Sequence, residues 1–308
     1  MQIELSVFYA RLGAIALILI LGFILGKCKL ISEKANRELT NLLLTVFMPA
    51  SLFMAFPETY DESAANLFYS GFMAGVIIML VLILLARLIF NKKWMKKGLS
   101  LESQFALIFN NATFLGYPIV ANTFGGTGIL AYCGFIIAFN IALFSYGVWL
   151  FEQKITLRLF HKIIFNPNII AVVLGMIFFL VGIKIPGFVS DAVGYVGGAT
   201  TPLSIICIGV MLSQAKIKKV FKKWKLMLRA LIQLTVGPLV TWGLLTLMQF
   251  PVEVIQVCTL IQTLPTATSL GLFAVKYGGN AEESSELVTI STLFSVVTMP
   301  LMVMILIV

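Results

Sequence analysis

Apolar runs of about 20 residues recur along the whole chain, separated by short segments that gather most of its lysines and arginines. A run of that length crosses the ~30 Å hydrocarbon core of a bilayer as a helix. Ten spans are expected, near residues 8–27, 36–55, 66–90, 103–122, 129–151, 167–183, 190–213, 226–248, 252–275 and 285–307. The first is read as a span and not as a signal peptide, because no basic segment precedes it and no small-x-small site follows. Two spans are interrupted. The fourth contains FNNATFLGYP from Phe109 to Pro118, and the ninth contains IQTLPTATSLG from Ile261 to Gly271. Pro118 and Pro265 each withhold an N–H from the helical ladder, and Gly116 weakens the turn before the first of them. Such breaks at membrane depth are tolerated only where they pack in protein or line a cavity.

The chain also repeats itself. Sliding it by 153 residues places Leu107-Ile108 on Leu260-Ile261, Thr113 on Thr266, Ala121 on Ala274 and Gly125-Gly126 on Gly278-Gly279. The same offset brings Pro49 onto Pro202 and Leu21-Gly22 onto Leu174-Gly175. Each half then holds five spans, and an odd number makes the halves cross the membrane in opposite directions. The expected fold is an all-α membrane protein of ten transmembrane helices in two inverted five-helix repeats, with helices 4 and 9 broken and crossing. Residues 1–152 form the first repeat, 153–166 a cytoplasmic connector and 167–308 the second repeat.

Composition agrees with a bilayer as solvent: 60% of residues are hydrophobic, 11% charged, and the mean hydropathy is +1.02. The net charge of +9 does not imply nucleic acid, because 20 of the 22 Lys and Arg fall in the segments that follow spans 1, 3, 5, 7 and 9. The positive-inside rule makes those segments cytoplasmic and both termini extracytoplasmic, as in a multi-pass protein of the cell membrane. The segment after span 9 fits least well, since Lys276 is outnumbered there by Glu282, Glu283 and Glu286. The basic run from Lys216 to Arg229, with Phe221 and Trp224 interleaved, reads as a cytoplasmic connector that could also meet anionic lipid. Four scattered cysteines without a CxxC pair read as free thiols, and the lone His161 lies in a basic loop. No metal or cofactor is expected.

The breaks carry the candidate chemistry. An interrupted helix exposes a half-helix N-terminus, whose unpaired N–H groups and positive dipole end favour an anion. Asn110, Asn111, Thr113, Gln262, Thr266, Thr268 and Ser269 add directional hydrogen bonds suited to a carboxylate, beside Tyr117 and the Pro118 and Pro265 breaks. No Asp or Glu lies deep within the spans so drawn, which argues against a proton relay and a cationic substrate. HExxH, GxSxG, paired acids and Cys/His clusters are all missing, so an enzyme is not expected. An anion channel, or a cation- or proton-coupled antiporter-like carrier, is the alternative to an anion carrier.

These residues resemble the auxin efflux carrier family, which includes bacterial malate and malonate permease-like members. Asn111-x-x-x-x-Gly116-Tyr117-Pro118 is similar to its N-x-x-x-x-G-I-P motif, and Leu264-Pro265, Phe273-Ala274, Tyr277 and Pro300 are similar to its later pattern. The resemblance implies ten spans in inverted repeats and a scaffold of spans 1, 2, 6 and 7. It also implies an elevator-like transport part of spans 3–5 and 8–10, a homodimer, and Asn111 in contact with a substrate carboxylate. Tyr117 replaces Ile of the motif, and Thr266 stands where the plant pattern has Gln. About fifteen residues, Glu152 to Asn166, replace a long regulatory loop. A small mono- or dicarboxylate is therefore expected in preference to auxin.

Overall fold

A computed structural model of the chain describes residues 5–56, 61–90, 99–153, 164–214 and 223–307. Among the described residues the secondary structure is helical, with one isolated β-bridge and no strand. The helices are α1 (Leu5–Lys27), α2 (Glu33–Leu42), α3 (Met48–Phe53), α4 (Glu62–Ile89), α5 (Leu99–Ile108), α6 (Tyr117–Ala142) and α7 (Val148–Glu152). They continue as α8 (Pro167–Val181), α9 (Gly187–Gly198), α10 (Thr200–Gln214), α11 (Trp224–Leu247), α12 (Val252–Gln262), α13 (Ser269–Tyr277) and α14 (Ala281–Leu306). Among the described residues, five continuous segments are long and apolar enough to cross a membrane: Glu62–Ile89, Ala112–Glu152, Gly187–Gln214, Trp224–Leu247 and Ala281–Leu306. Shorter apolar helices include Gly13–Lys27, Pro167–Val181 and Val252–Gln262.

Local chemistry explains the ends. Ser32, Asp61, Asn166 and Asn280 each cap the following helix by accepting a first-turn N–H, and Pro167 fits the first turn of α8, where its missing donor costs nothing. The loop expected between the fourth and fifth spans is not a loop. Gly125 (φ 64°, ψ −150°) turns the chain within α6. The segments on either side of it pack back on each other, Phe109 on Phe139 and Tyr117 on Tyr132. Only glycine enters that region of backbone space cheaply. Gly278, at φ 89°, makes the corresponding turn between α13 and α14.

Small residues set the closest helix contacts. A Cβ on Gly22 or Gly209 would collide with the facing backbone of α10 or α1, and one on Gly71 or Gly134 with that of α6 or α4. Close backbone approach at small residues is the usual route to helix association in lipid, which offers no hydrophobic drive of its own. Large apolar side chains such as Leu84, Leu88, Val275 and Val296 face outward, consistent with a lipid surround. Two acids of the segment after span 9 are accounted for by pairing: Glu283 with Arg229 and Glu286 with Lys223. The start of α14 and the start of α11 therefore share one face of the bundle. Lys216 to Lys222 of the basic run, His161 and Lys92 to Lys97 lie outside the described residues.

Candidate functional site

The two sequence breaks meet. Between α5 and α6 the chain leaves helical geometry at Asn110 and Asn111, and between α12 and α13 it does so from Leu264 to Ala267. The Asn111 N–H donates to the Pro265 carbonyl at 2.6 Å, and the Ala267 N–H donates to the Phe109 carbonyl at 3.0 Å. These bonds form an antiparallel bridge centred on Asn110 and Thr266. Each break thus satisfies backbone groups of the other, which at this depth water could not do without a cavity.

Side chains brace the bridge from behind. The Asn110 amide donates to Gln262 Oε1 at 2.8 Å. Thr266 Oγ1 donates to Gln233 Oε1 of α11 at 2.6 Å, and Gln233 Nε2 donates to the Leu264 carbonyl at 3.2 Å. Ser291 of α14 accepts the Thr266 N–H at 3.1 Å. Tyr132 donates its hydroxyl to the Ala112 carbonyl at 3.0 Å. All of these donors and acceptors are buried, so each bond removed would leave a partner unsatisfied at a cost of about 1–3 kcal/mol.

In front of the bridge lies a cavity of about 290 Å³. Asn110, Asn111, Thr113, Thr268 and Ser269 line one side. Asn41, Thr45, Asn140, Asn166 and Asn168 line the other, with Leu44, Phe114, Phe139, Phe144, Leu272 and Phe273 supplying apolar wall. Among the described residues no charged side chain lines it. The three π-helical turns of the described residues, Leu43–Phe47, Ala112–Gly116 and Leu143–Gly147, all contribute to it through Leu44 and Thr45, Thr113 and Phe114, and Leu143 and Phe144. A π turn shifts the helical register and re-aims side chains, and such turns concentrate at functional sites.

The polar groups are oriented by what they already bind. Asn111 Oδ1 accepts from the Phe114 N–H at 3.3 Å, capping the turn that follows the break. That bond turns the oxygen toward the backbone and leaves the Nδ2 amide as the donor end for a ligand. Asn110 Oδ1 has no partner. Exchanging the two ends of the Asn110 and Gln262 amides keeps their bond and gives Asn110 a free N–H₂ instead. The first turn of α13 has no side-chain cap, and its leading residues Thr268 and Ser269 border the cavity. Two half-helix N-termini and several neutral donors thus converge on one small space, an arrangement that favours negative charge.

The profile of the membrane transport protein family matches residues 7–303. The chain belongs to this family, that of the auxin efflux carriers. An uncharacterized transporter of Methanothermobacter thermautotrophicus is 24% identical over 297 residues, 94% of this chain and 95% of its own length. An uncharacterized transporter of Methanocaldococcus jannaschii is 26% identical over 216 residues, 66% of this chain and 69% of its own. Membrane transport is therefore the general activity of this auxin efflux carrier family member, in a multi-pass protein, and no catalytic family is indicated.

Of the ten residues expected at the site, Asn110, Asn111, Thr113, Thr268 and Ser269 border the cavity. The others lie behind it. Gln262 and Thr266 are 2% and 0% exposed and hold the bridge, and Pro265 lends it a carbonyl. Pro118 lies in the first turn of α6, and the Tyr117 ring packs edge-on against Tyr132. Sequence reasoning missed the opposing side. Asn140 carried a signal, as a buried amide inside a predicted span. Asn41, Asn166 and Asn168 did not, since polar residues near span ends are ordinary, and a lone threonine such as Thr45 inside a span is ordinary too. Of the four cysteines, Cys28 is exposed and the rest are buried and free.

Proposed function

We propose that this protein is a secondary carrier of a small organic anion, a mono- or dicarboxylate such as malonate or malate. The observation that carries the reading is the uncharged, amide- and hydroxyl-lined cavity bounded by two mutually bridged helix breaks. A volume near 290 Å³ suits a molecule of that size. Substrate binds with its carboxylate at Asn111 Nδ2 and at the N-terminal turn of α13. Asn110, Thr113, Thr268 and Ser269 complete its donors, while Gln262, Pro265, Thr266, Tyr117 and Pro118 keep the geometry.

The wider architecture of this reading is ten spans in two inverted five-span repeats, with the fourth and ninth crossing at the bridge. Its support is geometric. At the 153-residue offset the first break, Asn110–Asn111, falls on Thr263–Leu264, where the second leaves helical geometry. Left-handed residues pair at the same spacing, Lys29 with Gly182 and Gly125 with Gly278. Spans 1, 2, 6 and 7 form the scaffold and spans 3–5 and 8–10 the transport part, with substrate held between Asn41–Thr45 and Asn166–Asn168 on one side and the breaks on the other. An elevator-like displacement of the transport part then exposes the cavity to either face. The carrier works in the cell membrane as a homodimer with both termini extracytoplasmic. Moving one net charge is worth about 2.3 kcal/mol per 100 mV, enough for the anion's own charge to drive export.

A thermal-shift screen of carboxylates on the purified protein tests this reading. A bound substrate at 100 times its Kd stabilises the folded state by about 2.7 kcal/mol. Stabilisation by malonate or malate, absent in Asn111→Ala, is expected. Stabilisation by cationic compounds alone would refute it.

A further inference from the structure

The spans drawn from hydropathy contain no deep acid, yet Glu102 is fully buried, on α5 one residue ahead of the predicted fourth span. Its Oε1 accepts the Asn280 N–H at 2.7 Å, and its Oε2 has no partner. A carboxylate with so few donors is expensive to bury, and a proton on the vacant oxygen relieves that cost.

The groups around it are committed elsewhere. On α11, Arg229 pairs with Glu283 of α14, and Lys223, just before α11, pairs with Glu286. On α13, Lys276 lies over the ring of its own neighbour Tyr277. Arg87 of α4 stacks on Tyr146 and Trp149. Glu152, at the end of α7, is exposed.

The location gives this carboxyl a purpose. Asn280 follows the Gly278 turn at the end of α13, and its side chain caps α14 through the Glu283 N–H. The two interrupted segments are therefore tied at two levels. One is the backbone bridge beside the cavity. The other is Glu102, eight residues before Asn110, holding the far end of the second segment. Between them Phe105 packs on Phe273 with ring centroids 5.3 Å apart.

We propose that Glu102 is a proton-binding site whose occupancy accompanies transport, because its charge alters the tie between the two broken spans. Protonation places hydrogen on Oε2 and leaves Oε1 to accept from Asn280. Deprotonation puts an added negative charge beside Glu283 and invites Arg229 to divide its pairing. The composition-based argument against a proton relay thus does not hold at this position. The protonation itself is independent of the carrier reading, whereas its coupling to flux rests on it.

The test uses the whole protein, wild type and Glu102→Gln, which keeps an acceptor for Asn280. Infrared spectra are compared between about pH 5 and about pH 8, a range that no freely solvated Glu titrates through fully. A protonated-carboxyl band that bleaches with rising pH in wild type, and is missing from E102Q, is expected. In proteoliposomes with malonate as probe, wild-type flux should change by up to about tenfold per pH unit beyond the midpoint, and E102Q flux should be flat. Should E102Q fail to fold, Glu102→Asp should shift the midpoint of the band. Identical spectra in wild type and E102Q, or in wild type and E102D, overturn the proposal. A Glu102 band that titrates beside an unchanged flux profile in E102Q overturns the coupling. If wild type carries no malonate, the carrier reading with this substrate falls, while the spectra still decide the protonation.

Discussion

The break at Asn110–Asn111 and the break at Leu264–Ala267 bridge each other but are held by different means. The first is secured locally. Asn111 caps its own following turn, a π turn absorbs the change of register, and Tyr132 takes the Ala112 carbonyl. The second is secured from a distance, by Gln233 of α11 and Ser291 of α14 on Thr266 and Leu264. The difference leaves unlike chemistry at the cavity. The first break presents amides, the second an uncapped helix start with two hydroxyls. Both breaks therefore give polar groups to the cavity wall, while the second also draws its support from two neighbouring helices.

Mutations can separate these roles. Gln233→Leu should be the most damaging to stability, because it strands both Thr266 Oγ1 and the Leu264 carbonyl at about 1–3 kcal/mol each. A lowered melting temperature with transport falling in proportion to folded protein would be measured. Asn111→Ala removes a cap worth about 1 kcal/mol and the proposed carboxylate donor. Transport should be lost while the melting temperature moves only slightly. Thr268→Ala and Ser269→Ala each delete one hydroxyl worth roughly 0.5–1.5 kcal/mol, so apparent KM should rise roughly 2- to 10-fold with the melting temperature unchanged. Thr235→Ala, which only removes a hydroxyl bonded to its own helix at Leu231, should alter neither quantity.

The breaks were legible because proline, glycine and asparagine are costly at membrane depth and stand out against an apolar run. Gly125 carried a signal too, since it falls on Gly278 at the repeat spacing, but composition alone read its surroundings as a loop. The π turns left no mark in the residue pattern; Leu43–Phe47 and Leu143–Gly147 read as plain helix. The far wall of the cavity was hidden for another reason. Asn41, Asn166 and Asn168 stand where a polar residue needs no explanation, and only tertiary packing brings them opposite Asn111. Glu102 was lost to the same ambiguity, one position outside a hydropathy boundary yet fully buried. Gln262 and Thr266 looked like ligands because sequence marks a polar residue near a break without saying which way it turns.

The central claim is that the cavity beside the bridged breaks opens in turn to both sides of the membrane. Thr268→Cys, in a background with the exposed Cys28 changed to Ser, allows membrane-impermeant thiol reagents to be applied to oriented vesicles from either face. Alternating access predicts labelling of Cys at this position from both faces, slowed by the bound carboxylate. Labelling from one face only, at a rate no carboxylate changes, would contradict it.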